Sequence, residues 1–160
     1  MKKLFLVLLL IFSVSINMNA QYLSVSKMIE VIDNKISYAS TFQQLGYVHV
    51  YQDGIIDIWV RDCKLGKRGR DLFEYDICEI SSPKASVIEL GADWAICLTV
   101  IGEDNARSLV DEMIHLGFKK TRAEDEYISD NEWRFVNAST GKKLSLKEYP
   151  NEVYRLAYYQ

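Results

Sequence analysis

Paired carboxylates are the first chemistry this chain offers. Glu74 and Asp76 sit two positions apart, so in an extended strand they share one face, and Asp57 falls on the neighbouring strand of that face. Such a trio could do general acid/base work on a sugar or a cell-wall polymer, making a small hydrolase one reading. The plainer reading, which the sequence favours, is a solvated polar face with Arg61 as counter-charge. The two histidines add little. His115 falls in a last helical turn, where a partly charged imidazole suits the dipole, and His49 alternates with Tyr47 and Tyr51 in a strand. No His-Glu-x-x-His, Gly-x-Ser-x-Gly or phosphate loop occurs in the sequence. The acidic run Glu124-Asp-Glu126 with Asp130 and Glu132 lacks the spaced ligands and glycine of a calcium loop. No catalytic, metal or cofactor site is therefore predicted.

Binding chemistry is better represented. Lys64, Lys67, Arg68 and Arg70 fall within seven residues, an anion-docking loop or a charged hairpin tip that keeps a sheet edge soluble. If Ile56, Ile58 and Val60 face the core, the opposite parity carries Tyr47, His49, Tyr51, Trp59 and Arg61. Tyr, Trp and Arg on an exposed sheet are what protein interfaces use as anchors, and Tyr and Trp also stack on sugars. This set is the predicted partner-binding site, with Trp59, Tyr51 and Arg61 expected to be exposed.

The elements that position these groups are legible in outline. Ser24 or Ser26 can cap a helix whose apolar stripe is Met28, Ile29, Ile32, Ile36 and Ala39, continued by Phe42 and Leu45. The weak helix formers at 37–41 allow a break into two short helices. Gly46 then ends the helix and Tyr47 folds back. Strands are predicted at 47–51, 55–61, 72–80 and 93–101, with Gln52-Asp-Gly54 as a hairpin turn and 81–90 left open. A second unit begins with Asp104 as N-cap. Ala106, Leu109, Val110, Met113 and Leu116 form its stripe, and Gly117-Phe118 closes it 71 positions after Gly46-Tyr47. Strands at 118–122, 132–137, 144–147 and 153–159 follow. Helix plus four strands is thus written twice.

Export explains the rest of the composition. Lys2 and Lys3, an apolar run over 4–16 and a small residue at Ala20 read as a signal peptide over 1–20. The apolar run spans about 20 Å against a bilayer core of about 30 Å, which argues against stable membrane insertion. The remaining 21–160 form one exported domain, periplasmic or secreted, made of half-repeats at 24–101 and 102–160. Without Lys2 and Lys3 the 19 basic residues become 17 against 22 acidic, a net of −5, so nucleic acid is excluded as the main partner. Cys63, Cys78 and Cys97 are an odd number for an exported chain. Cys78 with Cys97 is the preferred pair, and three unpaired buried thiols are the alternative.

The predicted fold class is α+β, a tandem α-β4 repeat with its helices on one face of an antiparallel sheet. That order resembles the layout of β-lactamase-inhibitor-like proteins and small envelope lipoprotein modules. The function it points to is a non-enzymatic domain that binds a protein or glycan of the cell envelope through the open sheet face. A carbohydrate-binding domain is the second reading.

Overall fold

The computed structural model describes residues 22–34, 37–52, 54–65, 78–79, 84–91, 95–121 and 131–159. Helix α1 (Val25–Asn34) starts where expected: Ser24 Oγ accepts the Lys27 N–H at 3.2 Å. A second acceptor arrives from far along the chain. The Glu112 carboxylate takes the N–H of Val25 at 2.9 Å and of Ser26 at 3.1 Å, placing an acid on the positive end of the helix dipole. Helix α2 (Tyr38–Gln44) follows, so there are two short helices, but the break falls ahead of the weak stretch, whose residues from Tyr38 to Thr41 lie inside the second helix.

Gly46 adopts φ +82°, which a side chain rarely tolerates. Its N–H bonds the Gln43 carbonyl and the Tyr47 N–H bonds Phe42, both at 2.9 Å, which closes a Schellman motif. Helix α3 (Glu103–His115) ends the same way at Gly117, φ +84°, whose N–H donates to Ile114 at 3.0 Å. The aromatic after each glycine, Tyr47 or Phe118, is buried. At the other end of α3 the N-cap is Gly102 rather than Asp104. Asp104 and Glu103 lie instead in the first turn, where acids also complement the dipole.

The strands are β1 (Val48–Gln52), β2 (Ile56–Arg61), β3 (Lys64–Leu65), β4 (Cys78–Glu79), β5 (Ser86–Gly91), β6 (Ala95–Ile101), β7 (Phe118–Thr121), β8 (Glu132–Asn137), β9 (Lys143–Tyr149) and β10 (Val153–Tyr159). Eight of them form one antiparallel sheet in the order β1-β2-β5-β6-β10-β9-β8-β7, while β3 and β4 pair separately. The third strand of the large sheet is therefore Ser86–Gly91, within the stretch the sequence leaves open. Of the predicted strand at 72–80 only Cys78–Glu79 lies in the described residues, and it pairs with β3.

All three helices pack on one face of the sheet. Met28, Ile32, Phe42, Leu109 and Met113 meet Trp59, Ile88, Leu98, Leu144, Leu156 and Tyr158 in a continuous core. Asp33 ties α1 to the sheet by accepting from Tyr158 Oη at 2.7 Å and from Lys142. Burial works to raise the Asp33 carboxyl, but these two donors outweigh it and hold it below the ordinary carboxylate value. Among the described residues no helix is long and apolar enough to cross a membrane. Residues 1–20, read as the signal, lie outside them.

The expected parity of β2 is reversed. Asp57, Trp59 and Arg61 point to the helices, while Ile58 and Val60 occupy the opposite face, although both are also buried. The register slips between His49 and Tyr51, so Tyr51 pairs with Ile58 on the face opposite to His49. A bulge adds one residue and so moves every later side chain to the other face. The preferred cysteine pairing is also wrong. Cys97 is a free buried thiol, whereas Cys63 is disulfide-bonded.

Candidate functional site

The predicted binding residues divide into a buried cluster and an exposed remainder. Trp59 is 4% exposed, with its ring edge-on to Phe42 at 5.5 Å and 4.9 Å from the His49 ring. Arg61 is 8% exposed, and its guanidinium lies between the rings of Tyr22 (5.0 Å) and Tyr47 (5.4 Å) with Nη1 donating to the Leu45 carbonyl at 3.3 Å. Two aromatic faces, a carbonyl and Asp62, whose Oδ2 stands 3.5 Å from Nε, offset part of the cost of taking this cation out of water, while Nε and Nη2 make no hydrogen bond among the described residues. Tyr47 accepts from Ser86 Oγ at 2.9 Å, and burial pushes its phenol above the ordinary value. Trp59, Arg61 and Tyr47 thus hold the helices to the sheet and are not surface anchors. The expectation that Trp59 and Arg61 are exposed is overturned, because both meet partners brought by the helical layer.

His49 keeps 41% of its side chain exposed and sets Nε2 2.7 Å from Asp57 Oδ1, while Tyr38 donates to Oδ2 at 2.8 Å. A buried carboxylate tied to an imidazole has the outline of an acid/base dyad. A cavity of about 160 Å³ adjoins it, lined by Tyr38, Gln52, Ile55, Asp57 and Leu90. The described contacts of His49 are Asp57 and Trp59, and neither offers a hydroxyl or thiol for activation. Asp57 also faces away from the side on which a carboxylate trio was expected. Glu74, Asp76, Lys67, Arg68 and Arg70 lie outside the described residues, as does the acidic run at 124–126, and Lys64 is described only as β3 backbone. His115 closes its helix as expected, with Nδ1 2.7 Å from the Asp111 carbonyl.

The opposite, helix-free face carries a site the sequence reading missed. Alternation along β8, β9 and β10 turns Trp133, Phe135, Leu144, Leu146, Leu156 and Tyr158 inward. The other parity aligns in register across strands: Glu132 beside Lys147, Lys147 beside Arg155, and Arg155 beside Thr99. Arg155 reaches back to pair with Glu89. Lys147 Nζ stands 5.3 Å from the Tyr149 ring centroid. Glu132, Lys147, Tyr149, Arg155 and Glu89, together with Ser145 and Cys97, line a concavity of about 400 Å³ on the sheet. Burial pushes the Cys97 thiol above its ordinary value, which favours the protonated form near neutral pH. The signal for this site lies in the alternation of Lys143, Ser145 and Lys147 with Leu144 and Leu146. It became readable once Trp133 and Tyr154 had been assigned to the core.

Comparison with family models, with curated proteins and with solved structures gave no match.

Proposed function

We propose that this chain is an exported, non-catalytic domain that seats a macromolecular partner of the cell envelope on the helix-free face of its sheet. An inhibitor, an immunity-type protein or an assembly factor would all work in this way. The observation carrying the reading is the polar concavity around Lys147, Arg155, Glu89 and Glu132. Convergent polar groups in a concavity give such a face specificity. The tied-up His49–Asp57 pair and the protonated Cys97 favour binding over chemistry.

The finer fold reading supports the same view. The sheet order is two meanders, β1-β2-β5-β6 and β10-β9-β8-β7, joined at their last strands. The central pairing of β10 with β6 is antiparallel and centred on Leu156 opposite Leu98. This favours the tandem α-β4 repeat with the β-lactamase-inhibitor-like layout, in which residues 24–101 and 102–160 are related by a local two-fold. An experimental structure in which the halves superpose strand for strand tests it.

Binding is tested by placing a photo-cross-linking amino acid at Ser145 on the open face or at Ser108 on α3. Each version is then exposed to the producing cell's envelope fraction. A discrete adduct from Ser145 and none from Ser108 is expected. Adducts from Ser108 alone would move the interface to the helical layer and refute the proposal.

A further inference from the structure

Charge is segregated across the sheet. Helices α1 to α3 hold six acids (Glu30, Asp33, Glu103, Asp104, Asp111 and Glu112) against two bases, Lys27 and Arg107. On the helix-free face, strands β7 to β10 present Lys119, Arg134, Lys143, Lys147 and Arg155. Only Glu132 on those strands, and Glu89 on β5 beyond β6, oppose them among the described residues. The chain as a whole is acidic, at −3. Its helix-free face therefore has the opposite sign from both the helical layer and the net charge.

We infer that this face docks an acidic protein surface, one that offers carboxylates to Lys143, Lys147 and their neighbours. The inference rests on the binding reading above and names the chemistry of its partner. Two features select a protein over an anionic glycan or a lipid headgroup layer. First, Glu132 and Glu89 are interleaved with the bases, in register with Lys147 and diagonal to Arg155. Fixed, densely spaced anions on a glycan or a headgroup layer meet repulsion at those two positions, while a polypeptide can place its carboxylates on the bases and away from both glutamates. Second, Arg155, Tyr149 and Tyr51 on this face are interface types: Arg and Tyr anchor protein contacts and give planar, hydrogen-bonding surface. Lys119, on the edge strand β7, and Lys143, at the start of β9, are exposed and suit long-range steering of an oppositely charged partner.

The test uses the full exported chain and three probes: poly-L-glutamate, heparin and phosphatidylglycerol vesicles. It compares wild type with Lys143→Glu/Lys147→Glu on the open face and Lys27→Glu/Arg107→Glu on the helices. The two variants change net charge equally, so they separate local from global electrostatics. Poly-L-glutamate should bind wild type, lose about ten-fold in affinity with the open-face variant and change less than about two-fold with the helical one. The affinity should also fall as salt rises from about 0.05 to 0.2 M, because exposed pairs are screened. Failure of poly-L-glutamate to bind, equal effects of the two variants, or tighter binding of heparin or vesicles than of poly-L-glutamate would overturn the inference. A Ser145 adduct that persists in the open-face variant would refute the acidic partner while leaving the binding face intact. Absence of that adduct in wild type would remove the face itself.

Discussion

The two faces of the sheet handle charge in opposite ways. Under the helices, charged groups are few, buried or half-buried, and met by partners of their own chain: Asp57 by Tyr38 and His49, Arg61 by two tyrosine rings and Asp62, Asp33 by Tyr158 and Lys142. On the helix-free side they are numerous, half-exposed and mostly of one sign. A lone buried charge needs a partner from its own chain, since desolvation otherwise costs several kcal/mol. A row of half-exposed charges keeps much of its hydration and can exchange the rest for a partner's groups. Polar identity therefore does not distinguish the proposed binding face from the other; the source of each compensating group does.

The contrast is broken most directly at Trp59. Trp59→Ala should cost about 3–5 kcal/mol in denaturant unfolding, the range for emptying a large aromatic site. Trp59→Phe should cost much less, since Trp59 Nε1 has no acceptor among the described residues. A cost below about 1 kcal/mol for Trp59→Ala would return that residue to the surface.

Asp33→Asn comes next, at about 2 kcal/mol, because it weakens one ionic and one phenolic hydrogen bond at once. Its pH dependence sharpens the test. The carboxyl is lowered in the folded state, so its stabilisation is fully present above the ordinary value of 3.8 and is lost as pH falls through the lower folded value. The stability gap between wild type and Asp33→Asn should close in that acid range and stay constant from there up to neutrality. A gap of equal size at both ends would assign the loss to packing.

Tyr38→Phe should cost about 1 kcal/mol by removing one donor from the buried Asp57 carboxylate. The smallest stability effect belongs to the open face. Lys143→Glu/Lys147→Glu should leave unfolding within about 0.5 kcal/mol of wild type while weakening partner binding, because exposed bases contribute little to the fold. A large loss of stability there would make these lysines structural and erase the difference between the faces.

Much of the architecture was legible because its signals are local. Gly46 and Gly117 end helices since both need φ near +80°, and Ser24 caps because its hydroxyl lies next to unpaired N–H groups. The pattern at 132–159 fixed three strands through strict alternation. The first half resisted for equally physical reasons. In β2 both parities are buried, Ile58 and Val60 on one face and Trp59 on the other, so alternation defines two faces without saying which one the helices cover. The slip between His49 and Tyr51 then broke a parity argument that assumed an unbulged strand. Strand β5 went unread because the third strand had been placed at 72–80.

By itself the sequence determined the glycine-closed helix C-termini, the antiparallel α+β class and the alternating strands of the second half. These follow from backbone conformation and side-chain period, which neighbouring residues dictate. It also supplied the acidic balance and the signal-like start that motivate export. Only the tertiary structure decided that Trp59, Arg61 and Tyr47 are buried, that Cys97 is unpaired, and that Lys147, Arg155 and Glu89 converge in one concavity. Those outcomes depend on which strands become neighbours and which face receives the helices. Both are set by contacts between residues far apart in the chain, such as Val25 with Glu112 and Asp33 with Tyr158. Local sequence carries no record of those contacts.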